Sequence, residues 1–143
     1  MLKEDLDKDM DIRTAASSDV DWMYHCNEKI EVSIDIFRKE LQNKYISWIV
    51  EVYGKKIGYI LTSNIKEDSL NMHLVLHPTI RGLGYGLQAI EAAIEHFNVK
   101  FAIDKFYFKV QSDWSKMLRI IEALDGELVY ANEDELIYLI TYN

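Results

Sequence analysis

The alternation of apolar and polar positions divides the chain into helical and extended stretches. Ile12 to Thr14 reads as a short first strand, after which Ser17, Ser18 and Asp19 supply an N-cap for a helix through Val20, Met23 and Tyr24. Ile34, Phe37 and Leu41 recur at spacings of three and four, which predicts a second helix over Ser33 to Gln42. From Ile46 the period shortens to that of a strand. Ile46 to Tyr53 and Ile57 to Thr62, rich in β-branched and aromatic residues and joined at Gly54-Lys55-Lys56, predict a β-hairpin. In Ser69 to Leu76, Leu70, Met72, Leu74 and Leu76 fall on one face and Asn71, His73 and Val75 on the other, and the run stops at His77-Pro78.

The second half repeats the alternation of element types. Gly84 to Phe97 predicts an amphipathic helix with Leu87, Ile90, Ile94 and Phe97 on its stripe and Ala89 and Ala93 permitting close approach to a sheet. A strand follows at Phe106 to Val110. Asp113 is placed to cap a helix carrying Met117, Leu118, Ile121 and Leu124, and Gly126 to end it. Glu127 to Tyr130 and Leu136 to Tyr142 predict a closing hairpin. This order of strand, two helices, three strands, helix, strand, helix and two strands implies an α/β (α+β) fold, a mixed sheet with helices on its faces.

At 143 residues the chain needs only one domain, expected over residues 10–143 with a flexible N-terminal extension over residues 1–9. Its 49% hydrophobic and 28% charged residues are those of a globular protein and exclude disorder as the main state. No apolar run approaches the roughly 18 residues of a membrane span, and Met1 to Met10 lack the pattern of a signal peptide, so no membrane association is expected. The net charge of −8 repels phosphate backbones, which argues against nucleic acid as a partner and ranks cationic small molecules or basic peptide segments ahead of anionic ones. Cys26 is the single cysteine, consistent with a reducing, cytoplasmic location and with burial as a small apolar residue. The histidines at 25, 73, 77 and 96 show no metal-ligand spacing, so no metal site is expected.

The segment most informative about chemistry is Leu76-His-Pro-Thr-Ile-Arg81-Gly-Leu-Gly84-Tyr-Gly86-Leu87, between a predicted strand and a predicted helix. Alternate glycines let backbone N–H groups converge on a ligand, and the helix start adds its unpaired donors and positive dipole end. Such a loop suits a pyrophosphate, and Arg81 adds a full charge. Two other readings remain: a helix-entry turn that needs glycine for its shape alone, and a dinucleotide site formed by Gly84-Tyr-Gly-Leu-Gln-Ala89 with Asp104. The dinucleotide reading is disfavoured because Asp104 precedes the next strand instead of ending it.

Around this loop the sequence resembles the GNAT (GCN5-related) N-acetyltransferase family. Arg81-Gly-Leu-Gly84-Tyr-Gly86 matches the family's acetyl-CoA signature Q/R-x-x-G-x-G/A, and Leu76-x-Pro78-x-x-Arg81-Gly82 matches its usual lead-in. The resemblance covers roughly residues 11–142. It implies the acyl-CoA N-acyltransferase fold, a mostly antiparallel sheet of about seven strands flanked by about four helices. It also implies an enzyme with acetyl-CoA as co-substrate: the backbone of Leu83, Gly84, Tyr85, Gly86 and Leu87, with Arg81 and Gly82, would hold the pyrophosphate. Val75 and Leu76 would pair with the pantetheine arm, and Lys116 and Arg119 would lie near the ribose phosphate.

Toward the C-terminus the family often carries V-x-x-x-N and a helical tyrosine that protonates the departing thiolate. This chain has Val110-Gln-Ser-Asp-Trp114 without the asparagine, and Ile121 aligns with the tyrosine on the helix's apolar stripe. A thiolate with free pKa near 8.5 can leave without a dedicated acid. The expected reaction is direct attack on the thioester by a neutral amine, which needs a base because an alkylammonium has a pKa near 10.4. His73 is the candidate, three residues before Leu76 where family members often carry a carboxylate; a structural histidine fits the same position. His77 is the second choice. Glu51 and Asp113 could anchor a cationic acceptor, and Trp22, Tyr24 or Trp114 could line its cleft. The acceptor implied is a small amine or a basic peptide terminus. A catalytically silent acyl-CoA-binding module on the same fold is the alternative, and the last two strands could pair across a homodimer.

Overall fold

The computed structural model describes residues 10–27 and 30–143, so the expected N-terminal extension, residues 1–9, lies outside the described residues. Strand β1 (Met10–Thr14) leads through a 3-10 turn at Ser17–Asp19 into α1 (Val20–His25) and α2 (Ile34–Lys44). Three strands follow, β2 (Ile46–Val52), β3 (Lys55–Ser63) and β4 (Ser69–Leu76), then a 3-10 turn at Pro78–Ile80 and the long helix α3 (Tyr85–Phe101). The chain closes with β5 (Lys105–Gln111), α4 (Ser115–Ala123), β6 (Glu127–Ala131) and β7 (Glu135–Thr141). The expected element order is the observed one.

The strands form one seven-stranded sheet in the order β1-β2-β3-β4-β5-β7-β6. Every neighbouring pair is antiparallel except β4 beside β5. One face carries Ile12, Val50, Ile60, Met72, Phe106 and Phe108, which bury against Ala89, Ile90, Ala93 and Phe97 of α3 and Ile121 of α4. Ala89 and Ala93 are fully buried, as their small size against a sheet requires. The opposite face is covered on one half only, where α1 and α2 lay Met23, Phe37 and Leu41 over Ile49, Tyr59 and Leu61. Among the described residues, no helix covers the β5, β7 and β6 half of that face.

Several boundaries differ from expectation for local reasons. Asp19 does not cap α1; its carboxylate accepts the Ala16 N–H at 2.8 Å and is buried between Arg13 (2.8 Å) and Lys56 (2.7 Å). Ser33 does cap α2, its Oγ accepting from the Ile36 N–H at 3.3 Å. Asp113 stays exposed, and α4 begins after Trp114 without a side-chain cap. Helix α3 runs to Phe101, past the expected Phe97, and turns off through Ala102 at φ 57°. Gly126 ends α4 as expected, its N–H donating to the Ile121 carbonyl at 2.9 Å.

Candidate active site

Among the described residues the sheet has one parallel pairing, and it is short. β4 and β5 are in register at Ser69↔Lys105, Leu70↔Phe106 and Asn71↔Tyr107 and then part, although β4 continues to Leu76 and β5 to Gln111. β4 keeps its other edge paired with β3 through Leu76, and β5 keeps its other edge paired with β7 through Gln111. The result is a wedge that opens toward the carboxyl ends of both strands. Along its β4 wall, the backbone from Met72 to Leu76 has one edge without a strand partner. A linear amide-bearing chain can use such an edge as a strand would.

The glycine loop stands at the mouth of this wedge. Gly82 and Gly84 have φ values of 81° and 85°, and Gly84 serves as the N-cap of α3. A β-branched residue could not hold that conformation without strain. The N–H groups of Gly84, Tyr85, Gly86 and Leu87 precede the first intrahelical bond of α3, so four donors and the positive helix end face outward together. Nothing lies within 4 Å of a Cβ built on Gly82 or Gly84, which leaves the cradle open to an anion. Gly86 answers a different need: a Cβ there would come 2.9 Å from Ile120 Cδ1 of α4. The residues expected to bind a pyrophosphate thus stand together in one loop at the start of α3, and its open space and outward donors fit the group. Lys116 and Arg119 are exposed on α4, the helix that packs against Gly86.

Arg81 is employed differently from a bare charge at the loop mouth. Its Nε donates to the Leu76 carbonyl at 3.0 Å and its guanidinium reaches the Cys26 carbonyl at 2.8 Å, tying the end of α1 to the end of β4. Trp22 adds a second tie by stacking on His77 with centroids 5.8 Å apart, while Lys56 lies 5.5 Å above the Trp22 ring. His77 therefore belongs to the packing of the loop; its Nδ1 also accepts from the Thr79 N–H at 3.2 Å. Glu51 is engaged by Arg13 at 3.3 Å. Cys26 is fully buried, and burial pushes its thiol up to about 11, so it is a neutral core group at physiological pH.

On the half-covered face, where the helices end and bare strands begin, a cavity of about 860 Å³ opens beside the wedge. His73 of β4, Tyr107 and Lys109 of β5, Trp114, and Tyr130 of β6 are among its walls. His73 is half-buried, its ring 6.2 Å from that of Trp114 across the wedge. Burial lowers the imidazole below its ordinary value of 6.5, so the ring is neutral at neutral pH and able to accept a proton. Of the three aromatic residues singled out in the sequence, Trp114 lines this cavity, Trp22 packs on the loop, and Tyr24 donates from its hydroxyl to the Val32 carbonyl at 2.7 Å. Tyr45, Tyr107 and Tyr130 were not singled out. They come from three distant segments and share no spacing, and only the outward parity of Tyr107 in β5 could have marked one of them. Ile121 is fully buried in the core under α4, away from the cavity walls.

A family model described as an acetyltransferase (GNAT) domain matches residues 4–127. The chain belongs to the GNAT acetyltransferase family. Its fold is that of known members. A spermidine N-acetyltransferase SpeG variant from Vibrio cholerae superposes with a TM-score of 0.80 at 16% identity, covering 94% of each chain. The same enzyme in complex with CoA and spermine gives 0.77 at 17% identity, over 94% of this chain and 96% of that one. The Campylobacter jejuni N-acetyltransferase PseH gives 0.75 at 13% identity, over 94% and 99%. No curated protein matches the chain by sequence. As a GNAT acetyltransferase the chain is an acyl-CoA-dependent enzyme by family. No helix among the described residues is long and apolar enough to cross a membrane. Among the described residues no three His, Cys, Asp or Glu side chains are grouped to hold a metal ion.

Proposed function

We propose that this chain transfers an acetyl group from acetyl-CoA to a small primary amine or a basic peptide terminus. The observation that carries the reading is the wedge between β4 and β5, open at the end where the glycine loop presents its N–H groups. Acetyl-CoA supplies the activated thioester. The N–H groups of residues 83–87 hold its pyrophosphate, with Arg81 fixing the loop against α1 and β4. The free edge at Val75 and Leu76 pairs with the pantetheine amides. Lys116 and Arg119, exposed on α4, meet the ribose phosphate.

His73 takes the proton that the amine loses on attack, and its lowered basicity keeps it free to do so at neutral pH. With Ile121 in the core, the departing thiolate takes its proton from solvent at the open end of the wedge. The SpeG complex with spermine and CoA supports a small amine as acceptor by analogy of fold. A lone buried thiol supports a cytoplasmic setting. The test is thiol release from acetyl-CoA in the presence of a panel of amines. Amine-dependent release that His73→Gln lowers roughly 100-fold is expected. Saturable acetyl-CoA binding without release for any amine would favour the silent binding module.

A further inference from the structure

Resting on the acetyltransferase reading above, the geometry points to an acceptor that is a monoamine with a flat aromatic body, and to discrimination against polyamines. The cavity beside His73, about 860 Å³, lies next to the wedge and is large enough for an acceptor. Its walls hold five rings, those of Tyr45, His73, Tyr107, Trp114 and Tyr130. Tyr130 is 51% exposed and Trp114 39%, so stacking area is left over for a ligand.

The charged part of the wall points the same way. Glu135 is its single carboxylate, and Lys109 already holds it at 3.1 Å. Lys66 adds a second ammonium. With His73 neutral, two positive groups face one negative group. A polyamine would bring several more positive charges to this wall and find no unshared carboxylate there. The molecule's net charge of −8 does not alter this, because exposed charges beyond about 8 Å are screened at physiological salt. The reactive form of a monoamine is the neutral amine, its ammonium proton having gone to solvent, so it asks for no counter-ion, and its ring meets rings.

The experiment loads the full chain with coenzyme A and titrates 2-phenylethylamine and spermidine separately by calorimetry, with kcat/KM from thiol release measured in parallel using acetyl-CoA. 2-Phenylethylamine is expected to bind at least about tenfold more tightly than spermidine and to be preferred in kcat/KM. Lys66→Glu, an exposed change, is expected to narrow that gap by strengthening spermidine. Spermidine binding as tightly as 2-phenylethylamine, or a gap unmoved by Lys66→Glu, would overturn the proposal while leaving acetyl transfer intact. Failure of coenzyme A to load would instead remove the acetyltransferase reading and this inference with it.

Discussion

Ile121 shows how one side chain separates family likeness from local chemistry. It is fully buried, and its Cγ2 occupies the space that a Cβ on Gly126 would need, so the α4 C-terminus closes over it. A phenol at this position would have to displace the helix end. Ile121→Tyr is therefore expected to cost about 2 kcal/mol by overpacking and to leave turnover no higher. Urea unfolding with a thiol-release assay checks both; a tyrosine variant that is as stable and faster would contradict the placement. His73 gives the complementary case. Because burial lowers its folded pKa below 6.5, the acidic limb of kcat/KM is expected below pH 6.5 and should vanish in His73→Gln. A limb above 6.5, or one that persists without the imidazole, would remove His73 as the base.

Among the elements, helices and strands were legible because each carries a clean period, and the caps were legible less often. Ser33, at the expected start of the second helix, caps it, whereas Asp19, one of the residues expected to cap the first helix, is drawn to Arg13 and Lys56, which come from β1 and β3. Two cations on other strands outweigh one local N–H, and no local pattern contains them. The carboxyl group of Asp19 is consequently held well below its usual 3.8, chiefly by its hydrogen bonds to Arg13. A lowered folded pKa means the stabilisation is complete above pH 3.8 and is lost as the pH falls below it toward the folded value. Asp19→Asn is expected to cost about 2 kcal/mol at pH 7. Arg13 and Lys56 retain about a third of their side-chain exposure, which softens the loss of their partner. The variant should also lose less stability than the parent between pH 4 and pH 2. Equal acid sensitivity, measured by thermal melts across that range, would contradict the role given to this cluster.

At the scale of the molecule, the site arises from strand order, which the sequence states only indirectly. The glycine loop was readable as an anion cradle because its spacing and its place before a helix are local. The wedge was not, since it requires β4 and β5, with the whole of α3 between them in the chain, to lie parallel and then part after three paired positions. The cavity was still less readable. Its rings stand just after α2, on β4, β5 and β6 and just before α4, and become neighbours because α1 and α2 cover half of one face and leave the other half bare. Charge behaves the same way: the chain is acidic, yet the cavity wall is not. The net charge ranks cationic acceptors first, and the proposed choice among them rests on the local wall.

The central claim is that the loop over residues 82–87 and the wedge behind it bind acetyl-CoA. Isothermal titration of acetyl-CoA into the parent protein and into Gly84→Val tests it most directly, with circular dichroism to establish that the variant is folded. Saturable one-to-one binding by the parent, weakened at least about tenfold in the folded variant, is the predicted result, since valine cannot hold φ 85° and keep the N–H groups convergent. A folded parent that does not bind acetyl-CoA would contradict the account.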